Sequence, residues 1–274
     1  MNDAAPVTDE LLSIAVQVAR QGAVTARRMR ADGISQLTTK STDTDVVTAA
    51  DRAVERQVVE ELRRLRPDDS VLGEEYGTAG APGPAGNGAV RWILDPIDGT
   101  VNYLYGLPQY AVSLAAEVDG VVVAGVVHNP ATGDEWTATR GGGAYRAGQP
   151  LRGSTRTALG QSLIATGFGY DPARRAYQAG VVAQLISHVR DIRRFGAASI
   201  DLCMAAEGSF DAYFEKGLNL WDHAAGGLIA AEAGLRVGGI AGAAPGPDML
   251  IAAPPALYPA LHDRLADLDA AGGP

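Results

Sequence analysis

Val90-Arg91-Trp92-Ile93-Leu94-Asp95-Pro96-Ile97-Asp98-Gly99-Thr100 is an apolar run that closes on two carboxylates. The run reads as a buried strand. A strand that ends in acidic residues points carboxylate oxygens at one place. Mg²⁺ asks for such hard oxygen ligands and is usually held by one or two carboxylates plus a substrate phosphate. Gly99-Thr100 adds backbone N–H groups with little bulk around them, and a helix starting there would offer an anion site. The segment reads as a place where metal and phosphate meet.

Outward from it, the pattern is mixed. Upstream, Leu11, Leu12, Ile14, Ala15, Val18 and Ala19 recur at helical spacing, with Asp9 and Glu10 at the expected N-terminal end. Thr48 is placed to cap a second helix with apolar positions Val54, Val58, Leu62 and Leu65, ended by Pro67. Its charged residues, Arg52, Glu55, Arg56, Glu60, Glu61, Arg63 and Arg64, read as a solvated face. Ser70-Val71-Leu72 is a short strand leading to Gly73-Glu74-Glu75, and residues 76–89 read as a Gly/Pro-rich surface loop.

Downstream, Tyr110–Val118 and Val121–Val127 are strands joined by Asp119-Gly120, a strong hairpin signal. Gly141-Gly142-Gly143 lacks the Lys and Ser/Thr of a P-loop and reads as another turn. The second half alternates: strand Ser162–Thr166, helix from Pro172 to about Val189, helix Ala197–Ala206, strand Phe210–Phe214, helix Trp221–Ala233 closed by Gly234, strand Met249–Ala253 and helix Pro255–Leu268. The expectation is an α+β fold of stacked sheet and helix layers. Its halves are 1–150 and 151–274, forming a single catalytic unit.

Composition narrows the class. With 274 residues, 46% hydrophobic and 20% charged, the chain can fill a sizeable core. Cys203 is the only cysteine, which excludes an intrachain disulfide and suits a reducing cytoplasm. In its apolar setting it reads as a small buried hydrophobe. The N-terminus shows no export signal, and no run is apolar for long enough to span a bilayer. A net charge of −9 argues against nucleic acid. It also sets a puzzle, because an acidic protein repels a phosphorylated substrate unless bound cations reverse the local sign.

Five acidic clusters follow element ends: Asp43/Asp45, Asp51, Glu74-Glu75, Asp95/Asp98 and Asp222. Each alone is most simply a turn residue or a helix cap, and Asp222 alone would be an acid favoured by a helix dipole. Their joint occurrence makes the case. Carboxylates crowded without metal repel one another and raise each other's pKa values, so as a group they make sense as a cation cage. The histidines, His128, His188, His223 and His262, show no metal-ligand spacing. No nucleophile elbow is present.

These motifs resemble the inositol monophosphatase family of Mg²⁺-dependent phosphatases. The family's Asp-Pro-Ile/Leu-Asp-Gly-Thr signature stands at 95–100, its Trp-Asp signature at Trp221-Asp222, and its Gly-Glu-Glu at Gly73-Glu74-Glu75. Its Asp-x-x-Thr-x-x-Asp segment runs from Asp45 to Asp51, preceded by Lys40. The resemblance implies a layered α/β/α/β/α sandwich, two to three Mg²⁺ ions per subunit, Li⁺ sensitivity and a homodimer. It further implies that Glu74, Asp95 and the Ile97 carbonyl hold one ion, and that Asp95, Asp98 and Asp222 hold a second, about 4 Å away. Asp51 and Thr100 would form a hydrogen-bonded pair that orients and deprotonates water. Gly99 and Thr100 N–H groups would take phosphate oxygens, with Glu75 set behind the ligands.

For the rest of the substrate, the resemblance points to Glu215 and to Gly196-Ala197-Ala198, with Asp98 helping. A solvated strand end remains the alternative for Glu215. Arg193 and Arg194 suit a polyanion, a subunit contact or plain surface charge. Asn219 stands where some relatives carry His. The implied activity is hydrolysis of inositol 1-phosphate or a related polyol phosphate. Histidinol phosphate, fructose 1,6-bisphosphate and a 3′-phosphoadenosine nucleotide are alternatives on the same scaffold. The competing class is a non-catalytic interaction protein, since some bacterial relatives bind transcription machinery.

Overall fold

The computed structural model describes residues 4–32, 37–39, 46–79 and 88–274. The chain opens with α1 (Ala4–Ala31), a two-stranded ribbon of β1 (Leu37–Thr39) and β2 (Val46–Thr48), and α2 (Ala49–Leu65). β3 (Ser70–Gly73), β4 (Gly77–Ala79), β5 (Val90–Asp98), the short α3 (Thr100–Tyr105), β6 (Ala111–Val118), β7 (Val121–His128), β8 (Glu135–Thr139), β9 (Gly143–Arg146) and β10 (Gln149–Pro150) follow. These strands, with β3 beside β5 and β4 at the edge, form one eight-stranded sheet in the order β10-β9-β8-β7-β6-β5-β3-β4. All its neighbours pair antiparallel except β3 with β5.

The second half supplies β11 (Leu163–Thr166), α4 (Pro172–Leu185), β12 (Asp191–Arg193), α5 (Ala198–Ala206), β13 (Ala212–Glu215), α6 (Leu220–Glu232), β14 (Arg236–Gly238), β15 (Leu250–Ala253) and α7 (Tyr258–Asp267). Its strands form a five-stranded sheet, order β12-β11-β13-β15-β14. β11 pairs parallel with both neighbours, and the β15 pairings are antiparallel.

Burial explains the stacking. In the central strand β6, Val112, Leu114 and Ala116 face one way and pack with Leu11, Val18, Val54 and Val58 of α1 and α2. Ala111 and Ala115 face the other way and pack with Ile200 and Leu202 of α5 and Ala225 and Ile229 of α6. This period of two, apolar on both faces, is what a strand covered on both sides requires. The same two helices also meet Tyr213, Leu250 and Ala252 of the smaller sheet. The far face of that sheet, through Ile164, Phe214 and Ile251, is closed by Val181 and Leu185 of α4 and by Leu261 and Leu265 of α7. The layers are therefore α1α2, large sheet, α5α6, small sheet, α4α7. This is the α+β sandwich expected from the sequence.

Several local expectations shift. The first helix begins at Ala4, not at Asp9. Pro6 falls in its first turn, where a missing N–H leaves no bond unmade. The last helix starts at Tyr258, three residues beyond Pro255. β12 and β14, each three residues long, had no periodic signal to reveal them. Asp119 and Gly120 do form the hairpin turn, with φ of 51° and 81° and Val118 opposite Val121, as two-residue hairpins prefer. The 76–89 segment contains β4, and residues 80–87 lie outside the described residues. Cys203 is fully buried, and Trp92 and Trp136 anchor their indole N–H groups on Asp69 and Glu207.

One ion pair ties α1 to the large sheet. Arg20 meets Glu135 of β8 through two bonds of 2.8 Å, and His128 Nδ1 lies 3.1 Å from the same carboxylate. Burial works against the Glu135 charge, but the hydrogen bonds from His128 and Arg20 outweigh it, and its pKa falls from 4.5 to about 2. A depressed carboxyl stabilises the fold above its unfolded pKa, and that contribution fades as pH drops through the folded value. Because Arg20 is largely exposed, Glu135→Gln should cost only about 1 kcal/mol at neutral pH. Urea unfolding should show this gap between wild type and variant intact at pH 6 and closing between about pH 4.5 and pH 2. A gap independent of pH would contradict the assignment.

Candidate active site

The two acids of β5 sit at a break in its register. Asp95 lies opposite Ser113 of β6, and Asp98 lies opposite Ala111. The step is three residues on β5 but two on β6, so one extra residue bulges from β5. In an unbroken strand, positions i and i+3 face opposite sides. The bulge resets the alternation and turns both carboxylates to the face of Ile93 and Ala111, under α5 and α6. Pro96 stands within the bulge, a place where a strand tolerates a residue without an N–H. Ile97 faces the other way, into the α1α2 core.

Gly99 then turns the chain into α3 with φ of 84°, the left-handed region that favours glycine. A Cβ there would stand 2.7 Å from the Gln109 carbonyl oxygen and 3.1 Å from the Ala197 Cβ. The Thr100 hydroxyl donates to the Ile97 carbonyl at 3.1 Å. A hydroxyl has one proton to give, so in this arrangement it is not given to Asp51, as the resemblance implied. Asp51 is buried in the first turn of α2, and its charge is felt by Asp95.

The other elements converge on one cavity of about 360 Å³. Glu74 enters from the turn after β3; Asp95, Ile97, Asp98, Gly99 and Thr100 from β5 and α3; Gly196 and Ala198 from the start of α5; Glu215 from the end of β13; and Asp222 from the first turn of α6. Of the site residues expected from the sequence, Glu74, Asp95, Ile97, Asp98, Gly99, Thr100, Gly196, Ala198, Glu215 and Asp222 line this cavity, whereas Asp51 and Ala197 are buried and do not. Asp43, Asp45 and Lys40 lie outside the described residues. Asn219 also lines the wall, and its N–H donates to Asp222 Oδ2 at 2.6 Å, so Asp222 caps its own helix.

The two arginines separate. Arg193 is exposed and pairs with Asp191, whereas Arg194 lines the cavity beside Phe168. Arg174 of α4 and Lys216 line it as well, so the wall carries positive charge besides the acids. Arg174 gave no sequence signal, because one basic residue in a helix resembles any surface charge. Ser199 was also missed: its N–H and hydroxyl both donate to Asp98 Oδ2, at 2.7 and 2.5 Å. Asp201, two residues further along α5, is fully buried, and an acid between Ile200 and Leu202 was the available sign. Trp221 packs against the central core next to Asp222, and His223 is buried.

The electrostatics are those of a strained anionic cluster. Burial pushes the Asp95 carboxyl well up, and Glu74, Asp98, Asp222 and Asp51 push it further. Burial also raises Asp98, against the two Ser199 bonds, to about 6. Burial and then Asp98 raise Asp222, against the Asn219 N–H. Burial lifts Glu215 to about 7, although the Tyr213 hydroxyl and the Arg194 charge favour its ionised form. His223 is driven down to about 4 by burial.

Asp95 Oδ1 is buried without a hydrogen-bond partner, and a buried acceptor left so is costly. Hard oxygen donors around an unsatisfied carboxylate fit a divalent cation. Among the described residues, no three His, Cys, Asp or Glu side chains are gathered closely enough to hold an ion as they stand.

A model of the inositol monophosphatase family matches residues 7–269. The chain belongs to the inositol monophosphatase family. It is 43% identical over 272 residues to the inositol-1-monophosphatase of Mycobacterium leprae, covering 92% of each chain. It is 38% identical to the Nus factor SuhB of Pasteurella multocida, covering 82% of this chain and 83% of that one. Among solved structures, the extragenic suppressor protein suhB of Bartonella henselae superposes with a TM-score of 0.86 at 33% identity, over 93% of this chain and 98% of that one.

The bulge and the turn at Gly99 form the family signature in three dimensions. Gly99→Ala must place a methyl against the Gln109 carbonyl at a positive φ, which should cost about 1–3 kcal/mol. Urea unfolding should show this loss, and an unchanged midpoint would mean that the turn does not depend on glycine.

Proposed function

We propose that the protein is a Mg²⁺-dependent phosphomonoesterase acting on inositol 1-phosphate or a related polyol phosphate. The observation that carries this reading is the buried convergence of Glu74, Asp95, Asp98 and Asp222 on one cavity, with Asp95 Oδ1 unsatisfied. Glu74, Asp95, the Ile97 carbonyl, Asp98 and Asp222 would hold two ions, and a third, weaker one would lean on Glu74. When bound, Mg²⁺ supplies charge neutralisation for a phosphoryl group, the largest need of a reaction that is very slow in water.

The chain's own residues do the rest. Asp51 would be the base toward which the attacking water's proton passes, and the Thr100 hydroxyl, whose proton is donated to the Ile97 carbonyl, would orient that water through its oxygen. The Gly99 and Thr100 N–H groups, which have no partner four residues back in a helix starting there, hold phosphoryl oxygens in place. Glu215 and the Gly196–Ala198 segment accept and orient hydroxyls of the alcohol, aided by Asp98. Catalysis in such a site is positioning and charge stabilisation rather than covalent work by the protein. A homodimer follows the family habit.

The similarity to a Nus factor favours one second reading, a docking protein on the same scaffold. A docking role needs no buried carboxylate cluster, so the cluster favours the enzyme. Among the described residues, no helix is long and apolar enough to cross a membrane.

Phosphate release from inositol 1-phosphate, histidinol phosphate, fructose 1,6-bisphosphate and a 3′-phosphoadenosine nucleotide should require Mg²⁺ and be fastest for inositol 1-phosphate. Asp95→Asn should lower it by more than about a hundredfold in a folded protein, and Li⁺ should inhibit at millimolar concentration. An inert panel would favour docking. Faster turnover of histidinol phosphate would change the substrate, and full activity of D95N would overturn the two-ion site.

A further inference from the structure

Glu55 was expected on the solvated face of α2, but it is only 1% exposed. It follows Asp51 by four residues, so one face of the helix carries both acids inward beside Val54, Val58 and Leu62. Its carboxylate uses both oxygens. Oε2 accepts the N–H of Glu75 at 2.9 Å, and Oε1 accepts the N–H of Tyr76 at 3.0 Å. These are the two residues after Glu74, whose side chain lines the cavity. Gly73, just before the turn, lies so close that a methyl there would run into the Glu55 carboxyl group. The turn is thus gripped on its inner side by a charge-assisted, bidentate acceptor, the strong form of a hydrogen bond.

We infer that Glu55 is a positioning residue: by holding the Glu75 and Tyr76 N–H groups it fixes the turn that presents Glu74 to the cavity, and so sets the affinity of the site for a divalent cation. The inference rests on the metal reading of the carboxylate cluster. Glu55 itself lies under the turn and is no ligand. Placing one more negative charge beside Glu74 and Glu75 is unfavourable, so a purely structural need would be met more cheaply by a neutral acceptor. What a carboxylate adds is two acceptors in one plane, matched to two consecutive N–H groups. A ligand on a turn is only as well placed as the groups behind it, and losing such support typically weakens metal affinity 10–100-fold.

The test uses the full chain and Mn²⁺ alone as probe, with free Mn²⁺ measured by electron paramagnetic resonance and no substrate present. Glu55→Gln keeps the shape but exchanges one acceptor for an NH₂ group, which faces an N–H. It should weaken Mn²⁺ binding by about tenfold or more. In the metal-free protein it should also speed hydrogen exchange at the Glu75 and Tyr76 amides by about tenfold. Glu55→Asp, with the charge withdrawn by one methylene, should show the same loss and serves if the glutamine variant folds poorly. Val58→Ala, a buried truncation in the same helix, should lower the melting temperature yet leave Mn²⁺ affinity unchanged. Wild-type affinity in both Glu55 variants, or an equal loss in V58A, would overturn this inference and leave the metal reading standing. A wild-type protein that takes up no Mn²⁺ would overturn both.

Discussion

Burying several carboxylates at one point is the constraint around which this fold is arranged. Removing an ionised group from water is expensive, and each additional acid of the same sign raises the cost. Asp95, Asp98 and Asp222 are all held above the ordinary carboxyl pKa, with burial as the first cause. A protein that only needed stability would have apolar side chains here. The expense makes sense if a cation completes the cluster, and the same cation resolves how a chain of net charge −9 can receive a phosphate ester.

The surrounding elements limit that cost and aim the acids. The bulge in β5 brings Asp95 and Asp98 to one face. Helix N-termini favour negative charge, and the fold uses three of them: Asp51 in α2, Asp98 against the first N–H groups of α5, and Asp222 in α6. The two apolar cores on either side of the large sheet make this aim rigid, since β5 sits between them with nearly every residue buried. Arg174 and Arg194 in the cavity lining favour the approach of an anion.

Much of this was legible in the sequence because strong local signals agreed with the fold. The apolar run into Asp95, the Asp119-Gly120 turn and the alternating second half led to the layers. The acids at 74, 95, 98 and 222 led to the cavity. What stayed hidden depended on register or on distant partners. A bulge is visible only when β6 is laid beside β5. Ser199 bonds to Asp98 across a hundred residues of chain, and Arg193 ends β12 paired with Asp191 while Arg194, the next residue, lines the cavity. Glu55 was readable in principle. It falls at the spacing of the apolar stripe, with Asp51, Val54, Val58 and Leu62, but its charge points to the solvated face. The Thr100 hydroxyl donates to the Ile97 carbonyl three residues back, a local bond that the motif alone does not reveal.

The central claim, that the buried acids form a cation cage held at a cost in stability, is tested most directly by thermal unfolding of wild type and D95N with and without Mg²⁺. Binding to the native state alone raises stability by mass action. The account predicts that metal-free D95N melts at or above the metal-free wild type, and that Mg²⁺ raises the melting temperature of the wild type but not of the variant. A wild type indifferent to Mg²⁺, or a D95N protein that gains as much from it, would contradict the account.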